Sequence, residues 1–133
     1  MSTAAEIVVV DSSEIREGKV EELKAALPKL VEFVEQNEAE PIAYAIYIDE
    51  ENSRMTVVQI HPSSASMEQH LRLAGPIFRE FADLVVLSQV DFYGTPSAAL
   101  VEQMREKAQL LGDAPVVVHG LLAGFARFGP AAT

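Results

Sequence analysis

Three histidines, three tyrosines and no cysteine define the reactive inventory of this 133-residue chain. A histidine near its ordinary pKa can take a phenolic proton at neutral pH and leave an electron-rich anion for oxygen to attack, without a metal. His70 is the candidate for that base. It stands in an amphipathic segment three residues after Met67 and four before Ala74, so helical spacing turns all three to one side, with small Ala74 leaving room beside the imidazole. The same spacing also suits a packed histidine with one satisfied nitrogen. His61, before Pro62 at a strand end, and His119, near the C-terminus, rank below it. Tyr44, Tyr47 and Tyr93 each offer an aromatic surface and a hydroxyl that could orient a phenol or quinone. Alternation along a strand sends Tyr44 and Tyr47 to opposite faces, so one pocket can use only one of them. Met67, Phe78, Phe81 and Phe92 could wall an apolar pocket or simply fill the core. Arg72 and Arg79 are either solvated or hold an acidic substrate. Glu50-Glu51 reads as a charged turn, because neighbouring carboxylates on one loop do not converge on a cation.

Composition narrows the field. Ten Lys and Arg against 20 Asp and Glu leave a net charge of −10, which argues against nucleic-acid binding, a role that needs many Lys and Arg to replace phosphate counterions. Without cysteine there is no disulfide framework, thiol nucleophile or Cys-ligated metal centre, and scattered histidines do not build another, so no metal is expected. No run approaches the roughly 18 apolar residues of a membrane span, and no basic-then-apolar leader opens the sequence. The reading is a soluble, cytoplasmic chain forming one domain over residues 1–133.

The elements that must position these side chains follow from periodicity. Ile7-Val8-Val9-Val10 is a β-branched run fit for a buried strand. Val20, Leu23, Leu27, Leu30, Val31 and Val34 recur at helical spacing, with a bend expected at Pro28 and an end near Gln36. From Pro41 the period becomes two, and a polar turn at Asp49 to Arg54 joins two strands as a hairpin. A second helix is expected to open on a Ser66–Gln69 capping box and to break at Gly75-Pro76, leaving a cavity beside the sheet. Leu84 to Tyr93 reads as the fourth strand, with Leu84, Val86, Ser88, Val90 and Phe92 on one face. Thr95-Pro96 then opens a third helix that stops at Gly112, and Val116-Val117-Val118 suggests a further short strand.

The order β-α-β-β-α-β over residues 6–93 is that of an α+β, ferredoxin-like split βαβ sandwich: a four-stranded antiparallel sheet with helices on one face, followed by a C-terminal helix and extension over 95–133. Strands apolar on both sides need a cover on the second face as well. The simplest cover is the same sheet of another copy, so a homodimer is expected.

With the elements placed, the turn Glu14-Ile15-Arg16-Glu17-Gly18-Lys19-Val20, the Tyr44, Tyr47 and Asp49 set, and Ser66-Met67-Glu68-Gln69-His70-Leu71 together resemble the antibiotic biosynthesis monooxygenase (ABM) family. That resemblance covers about residues 6–93. It implies a dimeric α/β barrel and, among the family's activities, cofactor-independent oxygenation of a small aromatic, phenolic or quinol substrate. His70 would be catalytic, and Tyr44, Tyr47, Met67, Phe78, Phe81 and Phe92 would contact substrate. The family also contains heme-degrading members, but the asparagine they carry on the first strand is replaced here by Asp11, Ser12 and Ser13, and the chain has no tryptophan. The alternative function is a non-catalytic dimeric domain that binds a small hydrophobic ligand or a protein partner.

Overall fold

A computed structural model describes residues 6–127. Strand β1 (Ile7–Ile15) leads into α1 (Val20–Asn37), β2 (Ala43–Asp49), β3 (Arg54–His61), α2 (Ser64–Phe78), a 3-10 turn (Arg79–Asp83), β4 (Val85–Tyr93), α3 (Ala98–Leu111) and β5 (Val116–His119). The strands lie in the order β2-β3-β1-β4-β5. The ferredoxin-like α+β architecture is present, but the sheet has five strands and is mixed, because β5 pairs parallel to β4. The C-terminal extension therefore adds a fifth strand to the edge that the expected four-stranded sheet would have left open.

All three helices cover one face. Ile15, Met55, Val57 and Val85 meet Leu23, Leu27 and Leu30 of α1 in one apolar cluster; Val9, Val90 and Phe92 meet Met67 of α2 and Leu100 and Met104 of α3 in another. Each fully buried side chain of this size contributes roughly 1.5–3 kcal/mol, which is what holds the helices down. That burial carries α1 through Pro28 and α2 through Pro76, although each proline forfeits a backbone donor. The break expected at Gly75-Pro76 is absent: α2 runs on to Phe78, and only then does the chain tighten into the 3-10 turn.

Helix starts also differ from the expected ones. Ser63 caps α2 by accepting from the Ser66 amide, which frees the Ser66 hydroxyl for the interior; Ser97, not Thr95, caps α3 by accepting from the Leu100 amide. Ser97 also donates through its hydroxyl to Glu68 at 2.7 Å, fastening α3 to α2. At the far end of α3, Gly112 adopts φ +150°, and a Cβ there would lie 2.6 Å from the Leu87 carbonyl oxygen. Only glycine lets α3 finish this close to β4.

Strand β4 does not alternate throughout. Ser12 faces Gln89 while Ser13 faces Leu87, so Ser88 is an extra residue in the β1–β4 ladder. Val85, Leu87, Val90 and Phe92 are consequently all buried, where strict alternation had divided them between faces. Across the sheet, no helix of the described residues covers the opposite face: Val8, Val10, Val58 and Ile60 are only partly buried there, and Tyr47 is 60% exposed. Among the described residues, no helix is long and apolar enough to cross a membrane.

Candidate functional site

The helix-covered face carries an unusual number of polar groups. On β1, Asp11 and Ser13 share the buried parity of Ile7, Val9 and Ile15; on β3, Gln59 and His61 share that of Met55 and Val57. The register places Gln59 between Val9 of β1 and Tyr44 of β2, so these strands gather Asp11, Gln59, His61 and Tyr44 in one patch. Helix α2 lowers Ser66 and His70 onto it, and Glu38, at the C-cap of α1, enters from the side.

His61 has both ring nitrogens engaged. Its Nδ1 stands 2.7 Å from Ser66 Oγ and its Nε2 stands 2.9 Å from Gln59 Oε1. Because a Gln oxygen can only accept, the network assigns the proton to Nε2, and Nδ1 accepts from the serine hydroxyl. Burial, aided by the nearby His70, pushes its pKa down to about 4. This is a neutral, structurally satisfied histidine.

His70 is different. Its Nδ1–H donates to both carboxylate oxygens of Glu38, at 2.9 and 3.1 Å, and both side chains are fully buried. Its Nε2 is also buried, yet has no hydrogen-bond partner among the described residues. A carboxylate that fixes the proton on one nitrogen and leaves the other as a free acceptor is the arrangement a general base requires. The ring lies against Tyr44, Phe78 and His61, with centroids 5.1, 5.3 and 5.9 Å away.

Tyr44 and Phe78 in turn wall an interior cavity of about 50 Å³ that Asp11, Ser13, Gln59 and Lys107 also line. Such a volume holds water but not an aromatic ring. Burial raises the pKa of Asp11, opposed by the charges of Lys107 and His70, and raises that of Tyr44, reinforced by Asp11 and Glu38. Burial lowers the pKa of Lys107, with Asp11 opposing. Next to the cavity, an open groove of about 430 Å³ runs between α2 and α3 past Gly75 and Pro76. The cavity expected beside the sheet at that dipeptide is not found there: Gly75 and Pro76 line a surface groove between helices, separated by Phe78, Lys107 and Leu111, which line both, from an interior cavity that neither residue lines.

Of the residues proposed from sequence, His70, Tyr44 and Phe78 come together; Tyr44, Phe78 and Phe81 line the cavity, and His70 is not among its lining residues. Tyr47 lies on the uncovered face, while Met67 and Phe92 are in the apolar cluster under α3. Tyr93 stacks on His119 at 4.6 Å, and His119 reaches Asp91 at 2.9 Å, far from the dyad in kind and exposure. Glu38, Asp11, Gln59 and Lys107 were not singled out from sequence as site residues. Among the described residues, no cluster of three or more His, Cys, Asp or Glu could hold a metal ion.

No family model matches the chain, and no curated relative does. Solved structures do. MupZ from Pseudomonas fluorescens superposes with a TM-score of 0.74 at 15% identity, covering 97% of this chain and 98% of that one. SnoaB, a cofactor-independent oxygenase from Streptomyces nogalater, matches at a TM-score of 0.59 and 10% identity over 71% of this chain and 97% of its own. A Bacteroides thetaiotaomicron protein assigned to the antibiotic biosynthesis monooxygenases matches at 0.53 and 21% identity over 63% of this chain and 84% of its own. The fold is that of the ABM proteins. At these identities the likeness extends to the fold alone. SnoaB and the ABM-assigned protein match 71% and 63% of this chain, whereas MupZ matches 97% of it.

Proposed function

We propose that this ABM-fold protein is a cofactor-independent monooxygenase of a small phenolic or quinol substrate, with His70 as the base that makes the reactive phenolate. The observation that carries this reading is the buried Glu38–His70 dyad with Nε2 left unpartnered. Glu38 holds the imidazole in the tautomer whose Nε2 accepts, and stabilises the imidazolium once the phenolic proton has moved there. Tyr44, packed against that ring, keeps its proton because burial raises its pKa, so its hydroxyl remains a donor for the developing oxyanion. The interior space holds little more than water, so a bound substrate would displace it from the phenolate and oxygen. His70 is not among the residues that line the cavity, so an aromatic ring reaches Nε2 only if Tyr44 and Phe78, which pack on the imidazole, move apart.

Oxygen uptake on addition of a panel of hydroquinones and naphthols, with wild type and His70→Ala compared, tests the proposal. Uptake that depends on His70 is expected; uptake by neither protein contradicts it. The apolar walls of the α2–α3 groove, Leu71, Leu110 and Leu111, favour a second reading, a non-catalytic binder of a small hydrophobic ligand. Saturable binding of the same compounds without oxygen uptake would select it.

We also propose that the uncovered sheet face packs on that of a second copy. Val8, Val10, Val58 and Ile60 form an apolar surface there that water would otherwise contact. Sedimentation at micromolar concentration is expected to give twice the 14.5 kDa chain mass, and Val58→Lys to give the monomer. A wild-type monomer contradicts this packing.

A further inference from the structure

The α2–α3 groove is cationic in a strongly anionic protein. Three of the chain's ten basic residues, Arg72, Arg79 and Lys107, line it, against the single carboxylate of Glu106. None of the three cations forms an ion pair among the described residues. Arg72 and Arg79 are exposed at the rim, whereas Lys107 is partly buried at the bottom. Its Nζ lies 3.9 Å from the centroid of the Phe78 ring, and both residues also line the interior cavity. One ammonium therefore stands at the boundary between an open groove and the interior cavity, whose wall residues Tyr44 and Phe78 pack on the His70 ring. Leu71, Leu110 and Leu111 give the groove apolar walls, so it suits a molecule with an apolar body and an anionic end.

We propose that the substrate of this site is a small aromatic acid, its carboxylate held by Lys107 with Arg72 and Arg79 while its ring passes Phe78 toward His70. The proposal rests on the reading of the interior as a substrate site and adds the substrate's chemical class. The Nζ now lies over the Phe78 ring, within the influence of the Asp11 charge but with no ion pair to it, and a ligand carboxylate would supply a charge-assisted hydrogen bond. The negative charge of the whole chain repels anions elsewhere, so the groove selects by position as well as by affinity.

Calorimetric titration of the full chain with 4-hydroxybenzoate and with 4-hydroxybenzamide, a neutral compound of nearly the same shape, tests this. The acid is expected to bind about tenfold or more tightly than the amide, the difference a charge-assisted contact supplies. Lys107→Met should bring the acid to the level of the amide. The surface pair Arg72→Gln with Arg79→Gln, which disturbs no core residue, should weaken the acid about threefold and leave the amide unchanged. Equal binding of acid and amide, binding of neither, or an acid affinity indifferent to both variants overturns the proposal. Oxygen uptake separates it from the reading on which it rests. Lys107-dependent binding without uptake removes the oxygenase and keeps the anion site; uptake with neutral hydroquinones and no preference for the acid does the reverse.

Discussion

Two histidines lie less than 6 Å apart under the same helix, both without measurable exposure, and their surroundings differ in one respect. His61 has a partner on each ring nitrogen, both neutral, in Ser66 and Gln59. His70 has a carboxylate on one nitrogen and nothing on the other. A buried polar atom left without a partner costs about 1–3 kcal/mol, so the second arrangement is a standing expense in stability that the first avoids. Burial alone does not mark a working histidine. The distinction lies in what the second nitrogen is free to do.

The largest effect that can break this contrast is on turnover. His70→Ala should lower oxygen uptake about 10²- to 10⁴-fold, the usual worth of a general base, and also cost stability because the buried Glu38 carboxylate loses its partner. His61→Ala should leave the rate within a few-fold but lower unfolding free energy by about 1–3 kcal/mol, because Gln59 and Ser66 lose their partner in the interior. Steady-state kinetics and denaturant unfolding on both variants check the pair, and an exchange of the two phenotypes would reverse the assignment.

Glu38→Gln sharpens it next. The amide keeps nearly the same shape but lacks the charge that favours the imidazolium, so a loss of about a hundredfold in rate is expected with little change in binding. A full-rate variant would reduce Glu38 to packing.

Sequence periodicity made the sheet and its helices readable because apolar residues recur at period two in β1, β2 and β3 and at helical spacing in α1 and α2. The same parity contained much of the site. Asp11 and Ser13 follow Val9 on the buried side, and Gln59 and His61 follow Val57, so polar residues in apolar positions were visible and could have been read as an interior network. His70 was legible from its place between Met67 and Ala74. Glu38 was not, since its approach to His70 depends on how α1 lies across the sheet, 32 residues away in the chain. The bulge at Ser88 and the parallel pairing of β5 were likewise set by tertiary contacts with β1 and α3 that no local pattern encodes.

A smaller effect concerns pH. His61 has its pKa pushed down to about 4 in the folded chain against 6.5 for the free side chain, so between these values the unfolded chain binds a proton that the folded chain refuses. The stabilising contribution is complete above about pH 6.5 and is lost as pH falls toward 4. In His61→Gln, the fall in stability over that window should be shallower than in wild type, as measured by urea unfolding; an unchanged slope would contradict the neutral assignment.

The smallest effect is expected at Asp11. Burial raises its pKa, so the folded chain holds the proton where the unfolded chain releases it, and the ionised carboxylate is a net cost at neutral pH. Asp11→Asn should therefore gain about 1 kcal/mol at pH 7, with the gain shrinking as pH is lowered toward the free value of 3.8. A loss of stability at pH 7 would mean that the Lys107 charge outweighs burial.

The central claim is that His70 Nε2 is a free acceptor, and ¹⁵N NMR of the histidine rings measures it directly. His70 should give a protonated Nδ1 and an unprotonated Nε2, a pattern set by the Glu38 carboxylate on Nδ1. Adding a phenol that binds should move the Nε2 resonance of His70 toward its hydrogen-bonded or protonated position and leave His61 unchanged. A proton found on His70 Nε2 with Nδ1 bare, or a resonance indifferent to every bound phenol, would contradict the account.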